Sequence, residues 1–190
     1  PAGVAREVID TVLESFGRTD LVVLNSALVA SAGRVNGRLN GLTRRTLREL
    51  PSLPNVLSSA VGYEPLRREI AKRLSLVGLR ARHDDVVITN GTMEAIALSL
   101  GVLCDPGDAV LIETPTYFGI PQLLQHLRLK VVEVPNRAEA GIDPGDVERA
   151  AARSKIAAAL LQSSFNNPTG AVTPDAAKQR IVASLVRHGI

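Results

Sequence analysis

The chain has 190 residues, is 45% hydrophobic and carries a formal net charge of +3 with 22% charged residues. That length and composition bury the core of one ordinary domain and exclude general disorder. The charge is mild and the arginines are scattered, so the clustered basic face of a nucleic-acid binder is missing; Arg44, Arg45 and Arg48 form the densest basic stretch and read as a solvated helix face. No apolar run approaches the ~20 residues that span a bilayer, and the opening PAGVAREVID lacks a signal-peptide layout, so a cytoplasmic protein without a membrane partner is expected.

In chain order, residues 1–60 are the least regular. They read as a loop-rich N-terminal arm, with a short strand at Leu21–Leu24 and loops at Pro51 and Pro54. From residue 61 the pattern becomes orderly. Leu66, Ile70, Leu74 and Val77 recur at helical spacing, predicting an amphipathic helix over 64–77. Val86–Thr89 reads as a strand that breaks on Asn90-Gly91-Thr92 and passes into a helix through Met93, Ile96, Leu100 and Leu103. Cys104, the single cysteine, closes that apolar stretch and reads as an inert buried thiol.

The turn Asp105-Pro106-Gly107-Asp108 leads into a strand over 109–112 and a helix carrying Ile120, Leu123, Leu124 and Leu127 on one face. A strand over 130–134, a helix over 145–153 and an apolar strand over 156–162 follow. Thr173 then stands as an N-cap before Pro174, opening a helix through Ala177, Ile181 and Leu185. Strands and helices alternate at roughly 20-residue intervals, which predicts a three-layer α/β fold with a mostly parallel sheet. The four strands at 86–89, 109–112, 130–134 and 156–162 are expected in one sheet.

Ligands of such sheets collect at the carboxyl ends of the strands. Three strand exits carry suggestive residues. Gly91 and Thr92, at the mouth of a helix, make either a cup for a phosphate or a plain turn with a cap. In ETPTYFG (113–119), Tyr117 is either a stacking aromatic or part of the core. In SSFNNPTG (163–170), Asn166-Asn167-Pro168 is either a rigid amide donor or a simple turn. Together they suit a flat, phosphorylated heterocycle, though another phosphate-binding α/β module stays open.

The succession GYEPLRREI, ITNGTMEAI, DPGDAVLIETPTYFG and NNPTG resembles the pyridoxal-phosphate-dependent aminotransferases of the aspartate aminotransferase fold. The wording is most similar to the aminotransferase-like domain of MocR-type regulators in the GntR family, and the resemblance covers roughly residues 60–190. It implies that residues 61–190 are the N-terminal half of the cofactor-binding large domain. Gly91, Thr92 and the backbone of Met93 would hold the phosphate of pyridoxal 5'-phosphate, Tyr117 would stack on its ring, and Asn167 would hydrogen-bond the phenolic oxygen. Tyr63 matches the tyrosine that reaches the cofactor phosphate of a neighbouring subunit, so a homodimer is implied.

The family's ring-nitrogen aspartate, Schiff-base lysine and substrate-carboxylate arginine all follow the NPTG turn, and none of Lys72, Lys130, Lys155 and Lys178 stands in that lysine's context. The chain, which opens on Pro1, is therefore expected to be a piece with half a cofactor site. It has no catalytic residue or metal ligand of its own, is inactive alone and holds the cofactor weakly. The resemblance implies either a regulator that senses an amino acid or amine and reaches DNA through a domain outside this chain, or an aminotransferase passing amino groups between amino acids and keto acids.

Overall fold

The computed structural model describes residues 41–42, 44–49, 60–76 and 78–190. The strand expected at Leu21–Leu24 and most of the N-terminal arm lie outside them. Residues 44–49 are helical and exposed, and Arg45 Nε meets Glu49 Oε1 at 2.7 Å, so the basic stretch is a solvated face.

Helix α1 (Glu64–Leu76) forms where the helical spacing placed it, but its inward face is turned from the expected one. Arg67 and Ala71 are its buried residues, whereas Leu66 is exposed. The cause is two backbone carbonyls on the inner side: Arg67 donates from Nε to Gly62 O (3.3 Å) and from Nη1 to His83 O (2.8 Å). A guanidinium whose donors are filled tolerates burial, and its own stem then shields the apolar surface.

The expected strand at Val86–Thr89 is extended but belongs to no ladder among the described residues. Ile88 N–H bonds Val61 O at 3.0 Å, Val86 N–H turns back to His83 O, and Val87 faces solvent. A strand requires a neighbour offering a run of alternating groups, which the described residues do not supply here.

Helix α2 (Thr92–Leu103) follows, then strand β1 (Ala109–Thr114), helix α3 (Gly119–His126), strand β2 (Lys130–Arg137), the two-residue strand β3 (Gly141–Ile142), helix α4 (Pro144–Arg153), strand β4 (Ala158–Leu160) and helix α5 (Asp175–Arg187). The sheet order is β3-β2-β1-β4; β1 runs parallel to both β2 and β4, and β3 pairs antiparallel with β2. Thus three of the four expected strands share one sheet, with β1 central.

Helices cover both faces. Ile96 and Leu100 of α2 and Ile120 and Leu124 of α3 pack with Val110 and Ile112 on one side. Leu111 points the other way and packs with Val147 of α4, Ile181 of α5, Val134 and Ile142. This alternation along β1 is the period-two geometry of a strand buried on both faces. Each such Val, Leu or Ile contributes about 1.5–3 kcal/mol.

Two helix starts differ in chemistry. Asp143 caps α4 by accepting from Gly145 N–H at 2.7 Å, with Pro144 in the first turn. Thr173, expected to cap α5, instead accepts Ile142 N–H through Oγ1 at 3.0 Å, tying β3 to the α5 approach. Pro174 occupies the cap position without a side-chain bond. Cys104 is half-buried against the α2–α3 cluster, and burial first, then Asp108 and Asp105, push its thiol up, away from the reactive thiolate. Among the described residues no helix is long and apolar enough to cross a membrane.

Candidate functional site

β1 and β4 run parallel, so both exit loops lie at one end of the sheet. Gly91 caps α2 with φ 99° and ψ 173°, a conformation that favours glycine. An added Cβ at Gly91 would meet nothing within 4 Å. Glu94 folds its carboxylate back onto Asn90 N–H, and Thr89 Oγ1 donates to Gly91 O at 3.1 Å, fixing the junction from the side. The opening N–H groups of α2 carry the positive end of its dipole, which suits an anion.

The β1 exit meets this junction at Gly119. A Cβ there would lie 2.6 Å from Tyr117 Cε1 and 3.5 Å from Met93 Cε, so the Tyr117 ring and the Met93 side chain share one spot. Tyr117 is 36% exposed, presenting its ring rather than burying it. Phe118 tilts against it with ring centroids 4.5 Å apart.

The β4 exit is stitched to the same place by Asn166, which the sequence singled out, and by Glu113, Thr116 and Gln162, which it did not. Glu113, near the end of β1, is 2% exposed. Its Oε2 accepts Gln162 N–H at 3.0 Å, and its Oε1 accepts Asn166 Nδ2 at 3.2 Å and Thr116 Oγ1 at 3.3 Å. Asn166 Nδ2 also donates to Pro115 O at 3.3 Å, while its Oδ1 accepts Thr169 N–H (3.2 Å) and Thr169 Oγ1 (2.8 Å). Asn166 is thus the buried member of the Asn-Asn pair. Asn167 is exposed, and its backbone N–H bonds Gln162 Oε1 at 3.0 Å. A charged residue ending an otherwise apolar strand was the available signal for Glu113.

Burial pushes the Glu113 carboxyl above the usual carboxylate range, against the pull of the Gln162, Thr116 and Asn166 donors. Among the described residues no cluster of His, Cys, Asp and Glu could hold a metal ion.

The fold therefore brings Gly91, Thr92, Met93 and Tyr117 together and links Asn167 to them through Asn166 and Glu113. Tyr63 stands apart. Its carbonyl accepts Leu66 and Arg67 N–H at the start of α1, and a Cβ on the preceding Gly62 would come 2.6 Å from Ile88 Cβ. This packs the Tyr63 turn on the segment leading to Asn90. No hydrogen bond or ring contact among the described residues joins its ring to Tyr117 or Asn167.

A helix N-terminus opened by a glycine, an exposed ring and an exposed carboxamide are what a flat phosphorylated heterocycle requires of a protein. The residues present fit pyridoxal phosphate on that ground.

Comparison with known proteins agrees. The model of the aminotransferase class I and II family matches residues 53–190. The HTH-type transcriptional regulator YjiR of Escherichia coli is 36% identical over 129 residues, covering 68% of this chain and 27% of that protein. The 2-aminoadipate transaminase of Thermus thermophilus is 32% identical over 146 residues, covering 77% of this chain and 35% of that protein. Among solved structures, the α-aminoadipate aminotransferase LysN of T. thermophilus, complexed with N-(5'-phosphopyridoxyl)-L-leucine, superposes with a TM-score of 0.74 at 28% identity, covering 96% of this chain and 44% of that one. The chain thus spans about a quarter to a third of the length of these curated relatives, which include both regulators and enzymes. With a family model matching most of its length and a large-domain α/β sheet to go with it, the chain belongs to the pyridoxal-phosphate-dependent aminotransferase class I and II family.

Proposed function

We propose that this chain is the cofactor-binding part of the aminotransferase-like effector domain of a MocR-type regulator in the GntR family. In this reading residues 61–190 belong to the large domain and 1–60 to an arm before it. The observation that carries it is the meeting of three strand and loop exits at one end of the sheet, with Gly91 open, Tyr117 presented and Asn167 exposed. The N–H groups of Thr92 and Met93, with Gly91, bind the cofactor phosphate, Tyr117 covers one face of the ring, and the Asn167 carboxamide donates to the phenolic oxygen. Bound pyridoxal phosphate supplies an aldehyde carbon that takes up amines and a ring that draws electrons from them.

The protein recognises an amino acid or amine, acts in the cytoplasm, and meets DNA through a domain outside this chain. It works as a homodimer in which Tyr63 reaches the cofactor phosphate of the partner. The exposed apolar side chains Leu98 and Val102 on α2 support association, because surface of that kind is costly to leave in water. The regulators YjiR and YdcR of E. coli, each 36% identical, favour the regulator over the enzyme.

A second reading, a true aminotransferase, is favoured by the LysN superposition over 96% of the chain. One preparation separates them. The intact gene product is titrated with pyridoxal 5'-phosphate by absorbance, then assayed for amino-group transfer to 2-oxo acids and for retention of promoter DNA. Cofactor binding with DNA retention and no transfer supports the regulator. Transfer without DNA retention supports the enzyme, and no cofactor binding overturns both.

A further inference from the structure

β1 is apolar until Glu113, which is buried at 2% exposure in the middle of the candidate site. Burying a carboxylate without a cation is costly, so a position that keeps one calls for a reason. Among the described residues none of the groups bonded to it is a cation: they are the Gln162 N–H, the Asn166 carboxamide and the Thr116 hydroxyl. Each sits beside a group that would touch the cofactor. Thr116 precedes Tyr117, Asn166 precedes Asn167, and the Gln162 side chain holds the Asn167 N–H at 3.0 Å.

We propose that Glu113 is a positioning residue for the cofactor: by bonding both exit loops it fixes the Tyr117 ring relative to the Asn167 carboxamide, so that one flat ring is held at its face and its edge together. The inference rests on the pyridoxal phosphate reading and adds a residue to it. A carboxyl with two acceptor oxygens suits the task because both main-chain and side-chain donors point at it. Glutamine has the same shape, but its NH2 would face the Gln162 N–H or the Asn166 NH2. Asn166 cannot flip to relieve this, since its Oδ1 already serves Thr169. The phosphate cup at Gly91 shares none of these bonds, so ring placement and phosphate binding are separable.

The test uses the intact gene product and two probes, pyridoxal 5'-phosphate by absorbance titration and inorganic phosphate by calorimetry, with folding checked by thermal unfolding. In Glu113→Gln the cofactor dissociation constant is expected to rise about tenfold and the bound cofactor's absorption maximum to shift, while phosphate affinity stays within about twofold. Gln162→Ala, a change at a half-buried side chain, removes the arm to Asn167 together with the Nε2 bond to Phe165 O (3.3 Å), leaves the Gln162 N–H on Glu113, and is expected to weaken the cofactor about threefold. Equal cofactor affinity in wild type and Glu113→Gln overturns the inference alone, as does equal weakening of both probes, which would mark Glu113 as merely structural. Should Glu113→Gln not fold, unchanged cofactor affinity in Gln162→Ala overturns it. Failure of wild type to bind the cofactor overturns the underlying reading and this inference with it.

Discussion

Gly119→Ala separates the work of the Tyr117 ring from that of the fold. Gly119 opens α3 in a backbone conformation open to any residue, so the replacement itself is tolerated and removes freedom from the unfolded chain, contributing about 0.4–1 kcal/mol in favour of the fold. The added Cβ would lie 2.6 Å from Tyr117 Cε1 and 3.2 Å from Cδ1. Carbon atoms rest at about 3.5–4.0 Å, so the ring edge must retreat by about 1 Å. It can do so cheaply, because Tyr117 is partly in solvent and the Met93 methyl, at 3.5 Å, is already at an ordinary contact distance.

The expected result is an unfolding midpoint unchanged or slightly raised. The ring is displaced, however, from where it would cover the cofactor. Aromatic stacking contributes about 0.5–1.5 kcal/mol, so pyridoxal phosphate affinity should fall about 2- to 12-fold. Titration of the intact gene product by absorbance reads the loss, and the double variant with Tyr117→Ala locates its origin. If Gly119→Ala weakens binding as much without the tyrosine as with it, the steric argument fails; loss of the cooperative unfolding transition would refute it as well.

Two further outcomes concern the fold. At Gly141, φ 73°, a Cβ would meet Thr173 Cα at 2.5 Å and its backbone N at 2.7 Å, whereas at Gly170, φ 72°, it would meet nothing within 4 Å. Gly141→Ala is therefore expected to lose about 2–4 kcal/mol in urea unfolding, from backbone strain plus overpacking, and Gly170→Ala about 1 kcal/mol from strain alone; equal losses would show that the clash is relieved. Acid should loosen the α4–α5 contact, since hydrogen bonds from Ser184 and His188 and the nearby Arg187 hold the Glu148 carboxyl below its usual 4.5. A lowered folded value means stabilisation that is present above the unfolded value and is lost as pH falls through the folded one. Hydrogen exchange in α5 should rise below about pH 4.5 in wild type, and Glu148→Gln should abolish that acid-sensitive step.

The sequence by itself determined the alternation of strands and helices after residue 60, the glycine at the mouth of α2 and the apolar content of the central strand. These are short-range matters: a period of two or 3.6, a turn residue, a cap, all legible within a dozen positions. Asp105-Pro106-Gly107-Asp108 ends one helix and starts β1 wherever the rest of the chain goes. Only the tertiary structure decided which polar groups go inside. Glu113 finds its partners 49 and 53 positions away, at Gln162 and Asn166. Thr173 leaves its expected helix cap for the Ile142 N–H, 31 positions away, and Arg67 turns α1 inward to reach His83 O. The extended segment 86–89 is in no ladder among the described residues for the matching reason, since a strand is a property of two segments and the bond that Ile88 N–H makes is to Val61 O. A buried donor or acceptor is settled by whatever the fold places opposite it, and periodicity along one segment carries no record of that.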